Sequence, residues 1–303
     1  MVSRIRKRLG DGNFVMTAEV TPPLSCDPKD LLEKALPLRD CADAVNVTDG
    51  ASARAHLESL VAATILLQNG IEPILQITCR DRNRIALQSE LVGAAAVGIS
   101  NVLVLTGDNP KQGDQPDAKP VFDLDSAGLI ATASHIRDKH ELPNGRKVGG
   151  SPDYFIGGAD APIDPRPDWV PTSLRKKIDA GMQFAQTQFC MDVGLVGRYM
   201  ARLTEYGVTE RLKFLIGVAP LASARSARWM KENLFGAVIP EELIARMERA
   251  SDARAEGQAI CAEVIAGLAA IPGVAGVHIM APLNEASIPP VISAVRHSGN
   301  LRT

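Results

Sequence analysis

A single α/β domain, closing as an eight-stranded parallel (βα)8 TIM barrel, is predicted by three features of the 303-residue sequence. Short β-type runs alternate with longer segments of helical period along the whole chain, the pattern of a parallel sheet with crossover helices. Eight such runs can be counted, the number that closes a barrel. No Pro/Gly/Ser-rich linker divides them, so residues 1–303 read as one domain; barrels of this type often use about 250 residues for one. The basic start, MVSRIRKRLGDG, lacks the apolar stretch of a signal peptide, and residues 1–12 read as a flexible or peripheral N-terminal segment.

The strands are expected at Phe14–Glu19, Ala44–Thr48, Glu72–Thr78, Asn101–Thr106, Asp153–Gly158, Phe184–Gln188, Lys213–Val218 and Gly276–Met280. Pro22 and Pro23 end the first one, because proline has no N–H for the ladder. Asp27 and Pro28 then open a helix as N-cap and first-turn proline. Ser52 to Gln68 carries Leu57, Leu60, Val61, Ala63, Ile65 and Leu66 as an apolar stripe, and Asn83–Val97 and Asp125–His140 repeat that pattern. A short basic helix, Ser173–Ala180, and a longer one, Asp192–Tyr206, flank the sixth strand. After the seventh come Ser223–Leu234 and an extended helical region, Pro240–Ala270, where Glu241 and Glu242 suit the helix dipole. Glu285–Ser298 closes the chain. Two segments interrupt the repeat: the polar loop Asp108–Val121 after the fourth strand, and Asn144–Ser151 on the opposite side.

Charge and cysteines narrow the function. A net charge of -2, from 33 basic and 35 acidic residues, supplies no global field for nucleic acid or an anionic membrane, so the expected partner is a small molecule. Five scattered cysteines without a CxxC pair argue against a disulfide framework or a structural zinc site and suit the cytoplasm. The most hydrophobic late segment, Ala259–Val277, contains Glu263 and Pro272 and reads as helix, loop and strand rather than a membrane span.

In a closed barrel the loops at the carboxyl ends of the strands build the site. Reading only those positions gives Glu19, Thr48–Asp49, Thr78, Thr106–Gly107–Asp108, Gly157–Gly158, Gln188 and Met280–Ala281. A carboxyl group at the end of a buried strand, as Glu19 is, suits proton delivery near neutral pH, or else binds a helix terminus. Gln188 offers a paired donor and acceptor for an amide-like ring edge. Arg175, Lys176 and Lys177 form a basic turn that holds a phosphate or is a solvated helix face. Glycine at 157 and 158 allows close approach of a ligand, or a tight strand exit. None of the five histidines joins a recognisable motif, and no HExxH, nucleophile elbow, Walker A or GxGxxG pattern occurs.

Seven of these strand-end segments, in order, resemble the methylenetetrahydrofolate reductase family: AEVTPP, NVTDGA, QITCRDRNR, VLTGDNP, SLRKKIDAG, QTQFCMD and GVAPLAS. The resemblance covers about residues 13–295. It implies a (βα)8 barrel in the cytoplasm that binds flavin adenine dinucleotide (FAD) at the strand carboxyl ends and takes electrons from NADH or NADPH. It also implies hydride transfer between 5,10-methylenetetrahydrofolate and 5-methyltetrahydrofolate, within one-carbon metabolism. Glu19 takes the role of general acid at ring opening, Asp108 lies near flavin and pterin, and Gln188 bonds the pterin. Thr48, Thr106, Gly107 and Lys177 match flavin-lining positions; Gln76 stands where a histidine is usual and Phe122 where a tyrosine contacts the flavin. The strand-five exit, with Gly158, carries GGADAPIDP in place of the usual segment, Thr106 replaces an arginine, and an aromatic after strand seven corresponds to Ala224.

These changes leave two alternatives to a flavoenzyme: direct hydride transfer from the nicotinamide without flavin, or a folate-binding subunit fed by a partner electron carrier. The extended helical region before strand eight is the candidate contact of a homo-oligomer.

Overall fold

The computed structural model describes residues 3–298. Eight parallel strands, β1 (Val15–Val20), β2 (Ala44–Val47), β3 (Pro73–Thr78), β4 (Asn101–Leu105), β5 (Phe155–Asp160), β6 (Phe184–Phe189), β7 (Lys213–Val218) and β8 (Val274–Ile279), pair in sequence order and close into a barrel through β1 and β8. Every expected strand is present, with no end shifted by more than two residues and Lys213–Val218 matched at both ends. The ring is covered by α2 (Pro28–Ala35), α3 (Ser59–Gln68), α4 (Arg84–Ala96), α5 (Ser126–Lys139), α6 (Thr172–Asp179), α7 (Val193–Glu205) with the short α8 (Val208–Arg211), then α9 (Ala224–Asn233), α10 (Glu241–Arg249), α11 (Ala253–Ala269) and α12 (Ile288–His297). The side-chain period of two in a strand divides the core. Residues such as Val20, Val45, Val47, Ile77 and Val104 face the helices, while Val15, Ala44, Ile74, Leu103, Phe155, Phe184 and Leu215 fill the barrel's lower interior.

Helix starts follow their caps. The side chains of Asp27, Asn83, Asp125, Asp192, Ser223 and Asp252 each accept a backbone N–H of the first turn, satisfying donors that have no intrahelical partner. Two expected helices are shorter. The one expected from Ser52 begins at Ser59, because Gly50, Ser52 and Ala53 all adopt positive φ and make a single 3-10 turn. The region 240–270 is two helices, separated where Ala250 turns extended and Asp252 caps the second.

The N-terminal segment corrects the expectation of a flexible or peripheral stretch. Arg4–Gly10 is a helix, α1, with Ile5 and Leu9 buried. These two residues, one turn apart on one face, plug the bottom of the barrel against the lower interior cluster. Glu72 holds the helix start by accepting the N–H groups of Arg4 and Ile5, at 3.1 and 3.0 Å. Arg8 pairs with Asp43 at 3.1 Å.

Candidate active site

The upper interior of the barrel is polar. Inward positions two residues apart on β1 carry Thr17 and Glu19, and the same alternation aims Asn46, Gln76, Gln186 and His278 at the axis. Gln186 joins the strands: its Nε2 donates to Asn46 Oδ1 at 3.0 Å and to Thr17 Oγ1 at 3.1 Å, and its Oε1 accepts from Asn46 Nδ2 at 2.5 Å. Thr17 Oγ1 lies 3.0 Å from His278 Nδ1. His278 Nε2 lies 3.4 Å from Glu19 Oε2, which also accepts Gln76 Nε2 at 3.1 Å. Glu19 is thus the top of a bonded chain that runs Asn46, Gln186, Thr17, His278, Glu19. Its side chain is 16% exposed against 3% for His278, so the carboxyl meets the mouth and the imidazole lies beneath it. Among the described residues no hydrogen bond reaches Glu19 Oε1, leaving that oxygen for a ligand.

Around the mouth, charged side chains fasten the loops. Asp49 accepts the backbone N–H and the hydroxyl of Thr78, at 2.8 and 2.9 Å, and two bonds from Arg82 Nη2, at 2.7 and 2.6 Å. Arg82 also donates to Glu90, at 2.5 Å. Burial pushes the Glu90 carboxyl up to about 8 against the pull of Arg82, with Asp49 and Glu58 adding to the rise. Arg80 spans three loops, donating to Asp81, to Gly50 O at 3.2 Å and to Asp108 O at 3.5 Å. Gly107 sits against it at φ +95, where an added Cβ lies 2.8 Å from Arg80 Cβ, so only glycine fits. Beside these loops a cleft of about 300 Å³ is lined by Gly50, Arg54, His56, Arg80 and Gln115 among others.

The site residues expected from sequence divide into groups. Glu19 and Gln76 meet directly. Thr48 follows Asn46 on the inward side, and its buried hydroxyl has no partner among the described residues. Asp108 and Thr106 are exposed on the rim; Asp108 Oδ2 accepts Ser52 N–H at 2.9 Å, and no described hydrogen bond links it to Glu19. Gln188 donates to Phe235 O at 3.2 Å and accepts Phe189 N–H at 3.0 Å. One N–H and one lone pair of its amide remain for a ligand.

Lys177 Nζ donates to Ala159 O at 2.7 Å, and burial pulls its ammonium below the ordinary lysine range, opposed by Asp160. Phe122 is exposed, with φ 44. Gly158 departs from its expected role at the mouth. A Cβ there meets Met182 Sδ and Ile130 Cδ1 of the helix layer, so the strand's alternation turns position 158 outward and gives the inward places to Gly157 and Ala159.

Sequence reasoning passed over Thr17, Asn46, Gln186 and His278. The signal for three of them was present: polar residues in step with Glu19, Thr48 and Gln188 on strands whose other face is apolar.

Residues 4–296 match the sequence profile described as methylenetetrahydrofolate reductase. The chain belongs to the methylenetetrahydrofolate reductase family. It is 26% identical over 216 residues to a 5,10-methylenetetrahydrofolate reductase of Pectobacterium carotovorum subsp. carotovorum, covering 70% of this chain and 66% of that protein. It is 25% identical over 190 residues, 63% of this chain, to a probable methylenetetrahydrofolate reductase (NADPH) of Caenorhabditis elegans. It is 24% identical over 265 residues, 83% of this chain, to a probable methylenetetrahydrofolate reductase (NADH) of Oryza sativa subsp. japonica. The matches span only 26% and 42% of the latter two proteins, so the chain covers less than two thirds of each relative. Among solved structures, an uncharacterized protein from Clostridium thermocellum that binds two copies of 5-methyl-5,6,7,8-tetrahydrofolic acid shares the fold, with a TM-score of 0.66 and 13% identity over 97% of this chain and 98% of that one.

Proposed function

We propose that this barrel interconverts 5,10-methylenetetrahydrofolate and 5-methyltetrahydrofolate by hydride transfer. The observation that carries the reading is the Glu19 carboxyl, held through one oxygen by Gln76 and His278 and open to the mouth through the other. Opening the five-membered ring of the substrate breaks a carbon–nitrogen bond, and the leaving nitrogen needs a proton. Glu19 delivers it, and the methylene carbon becomes the electrophilic iminium that accepts hydride. A positioned acid of this type contributes roughly 10²–10⁴-fold to such a step. His278, backed by Thr17, keeps the carboxyl oriented, and the spare N–H and lone pair of Gln188 read the edge of the pterin. Asp108, on the rim, takes a supporting place near the same ring.

The mouth residues fit a flavin. The hydroxyl of Thr48, without a partner among the described residues, the exposed Thr106 and the side-chain-free Gly107 would hold FAD across the opening, with Lys177 as the nearby cation. When bound, that group supplies storage of the hydride between NADH or NADPH and the folate. Two observations favour a second reading, direct transfer from the nicotinamide without flavin: Lys177 is already bonded to Ala159 O, and Gly158 faces the helix layer.

Absorbance of the purified protein, followed by NADH and NADPH oxidation with and without methylenetetrahydrofolate, tests the proposal. A yellow protein with folate-dependent turnover is expected. A colourless, active protein selects the direct route, and the lack of folate-dependent oxidation with either nicotinamide overturns the function.

A further inference from the structure

Phe235 is 95% exposed, yet its surroundings are fixed. It lies past the end of α9, next to Gly236 at φ +78. The segment that follows is stitched to the end of β6: Val238 forms a parallel bridge with Cys190, donates its N–H to Phe189 O at 2.8 Å and accepts Met191 N–H at 2.8 Å. The carbonyl of Phe235 itself accepts Gln188 Nε2 at 3.2 Å. Gly236 is so close to the mouth that a Cβ there lies 3.2 Å from Ala161, just past β5, and 3.8 Å from Gln188 Cγ. A flat apolar ring in contact with water is therefore carried on a braced backbone whose carbonyl bonds the amide assigned to the pterin. Leaving a phenylalanine side chain exposed forgoes the stabilisation its burial would give. A braced loop that presents one at a ligand-binding rim recovers it when a planar ligand covers the ring.

We propose that Phe235 is the substrate-stacking residue of this site, covering one face of the bound folate's ring system while Gln188 holds its edge. The hydrogen bond from Gln188 to the Phe235 carbonyl ties the backbone that carries the ring to the amide. This inference rests on the proposed folate chemistry and adds to it the group that positions the planar substrate.

The test is calorimetric titration of 5-methyltetrahydrofolate into the wild type, Phe235→Ala, Phe235→Leu and Phe235→Tyr, with KM, kcat and thermal midpoint for each. Loss of an aromatic stacking partner weakens binding by about tenfold, so Phe235→Ala and Phe235→Leu are expected to bind more weakly and raise KM, with kcat little changed. Phe235→Tyr, which keeps the flat ring, restores binding. Unaltered thermal midpoints are expected, since the ring packs against almost nothing in the free protein. If the wild type binds the folate and Phe235→Ala binds it equally well, Phe235 has no stacking role and the proposed function stands. If Leu restores binding as well as Tyr, the ring acts as apolar cover rather than a stacking surface and the inference fails. If the wild type neither binds nor turns over folate, the proposed function falls and this inference with it.

Discussion

At the scale of single residues, the site depends on one carboxyl and what lies under it. Replacing Glu19 by Gln keeps the side-chain shape and leaves an amide oxygen to accept from Gln76, so the barrel and any bound cofactor are expected to persist. The proton needed at ring opening is lost, and folate turnover should fall by about 10²–10⁴-fold, while 5-methyltetrahydrofolate still binds. Steady-state assays beside a binding titration check this, and an undiminished rate removes Glu19 from the role of acid. Glu19 was legible in sequence because an apolar run ended on it and Pro22 and Pro23 stopped the strand immediately after. His278 was not. Its meaning comes from the register of β1 with β8, which sets Thr17 opposite His278 across 261 positions of chain, and a histidine inside an apolar run carries no mark of that pairing. Gly158 misled for a related reason. A glycine pair at a strand end offers two candidates, and only the alternation measured against Phe184 and Met182 decides which one faces inward.

At the scale of elements, the loops after β2 and β3 are locked by one guanidinium between two carboxylates. Arg82 serves both Asp49 and Glu90, and Glu90 Oε1 is buried with no partner among the described residues. Burial pushes the Glu90 carboxyl up to about 8 from its ordinary 4.5, and the sign of the consequence follows. Below pH 4.5 the group is protonated in both folded and unfolded chains and contributes nothing to the pH dependence. As pH rises from 4.5 to about 8 the unfolded chain releases the proton while the folded one retains it, so stability declines over that window and levels above it. Glu90→Gln removes this titration and keeps an oxygen for Arg82. The thermal midpoint of the variant relative to wild type is expected to rise across the window and plateau beyond it; a difference that is flat with pH shows that Glu90 stays ionised in the fold. The helix caps around these loops were readable because each is a local signal of one side chain on its own first turn. The clamp was not, since Asp49 comes together with Arg82 and Glu90 only once two βα units are assembled.

At the scale of the whole molecule, the barrel is polar at one end and sealed at the other. Eight strands in the right order were evident from alternation and length, but the seal was not, because a short basic segment with two apolar residues looks like a peripheral tail. Ile5 and Leu9 are one turn apart, and that spacing gained its meaning from the open barrel bottom they fill. The interior cluster they join, with Phe155 stacked on Phe184 at a centroid distance of 4.7 Å, lies directly beneath the layer of Thr17, Asn46 and Gln186. Truncating the plug therefore loosens the apolar floor on which a buried hydrogen-bonded network rests. Ile5→Ala is expected to cost about 2–5 kcal/mol, the range for truncating a fully buried aliphatic side chain. Ile5 is wholly buried, and the cavity it leaves is walled by strands that cannot move inward without breaking the closed ring. Chemical denaturation measures the loss, and a change under about 0.5 kcal/mol, the size of an ordinary surface substitution, shows that α1 does not seal the barrel. Mouth chemistry provides the second readout. The bonds that orient Glu19 run from Asn46 through Gln186, Thr17 and His278, so a loosened floor slackens the support of Glu19 without touching it. In Ile5→Ala, folate turnover at a temperature where the variant remains folded is expected to fall while 5-methyltetrahydrofolate affinity, which we propose to be set at the rim, stays close to that of the wild type.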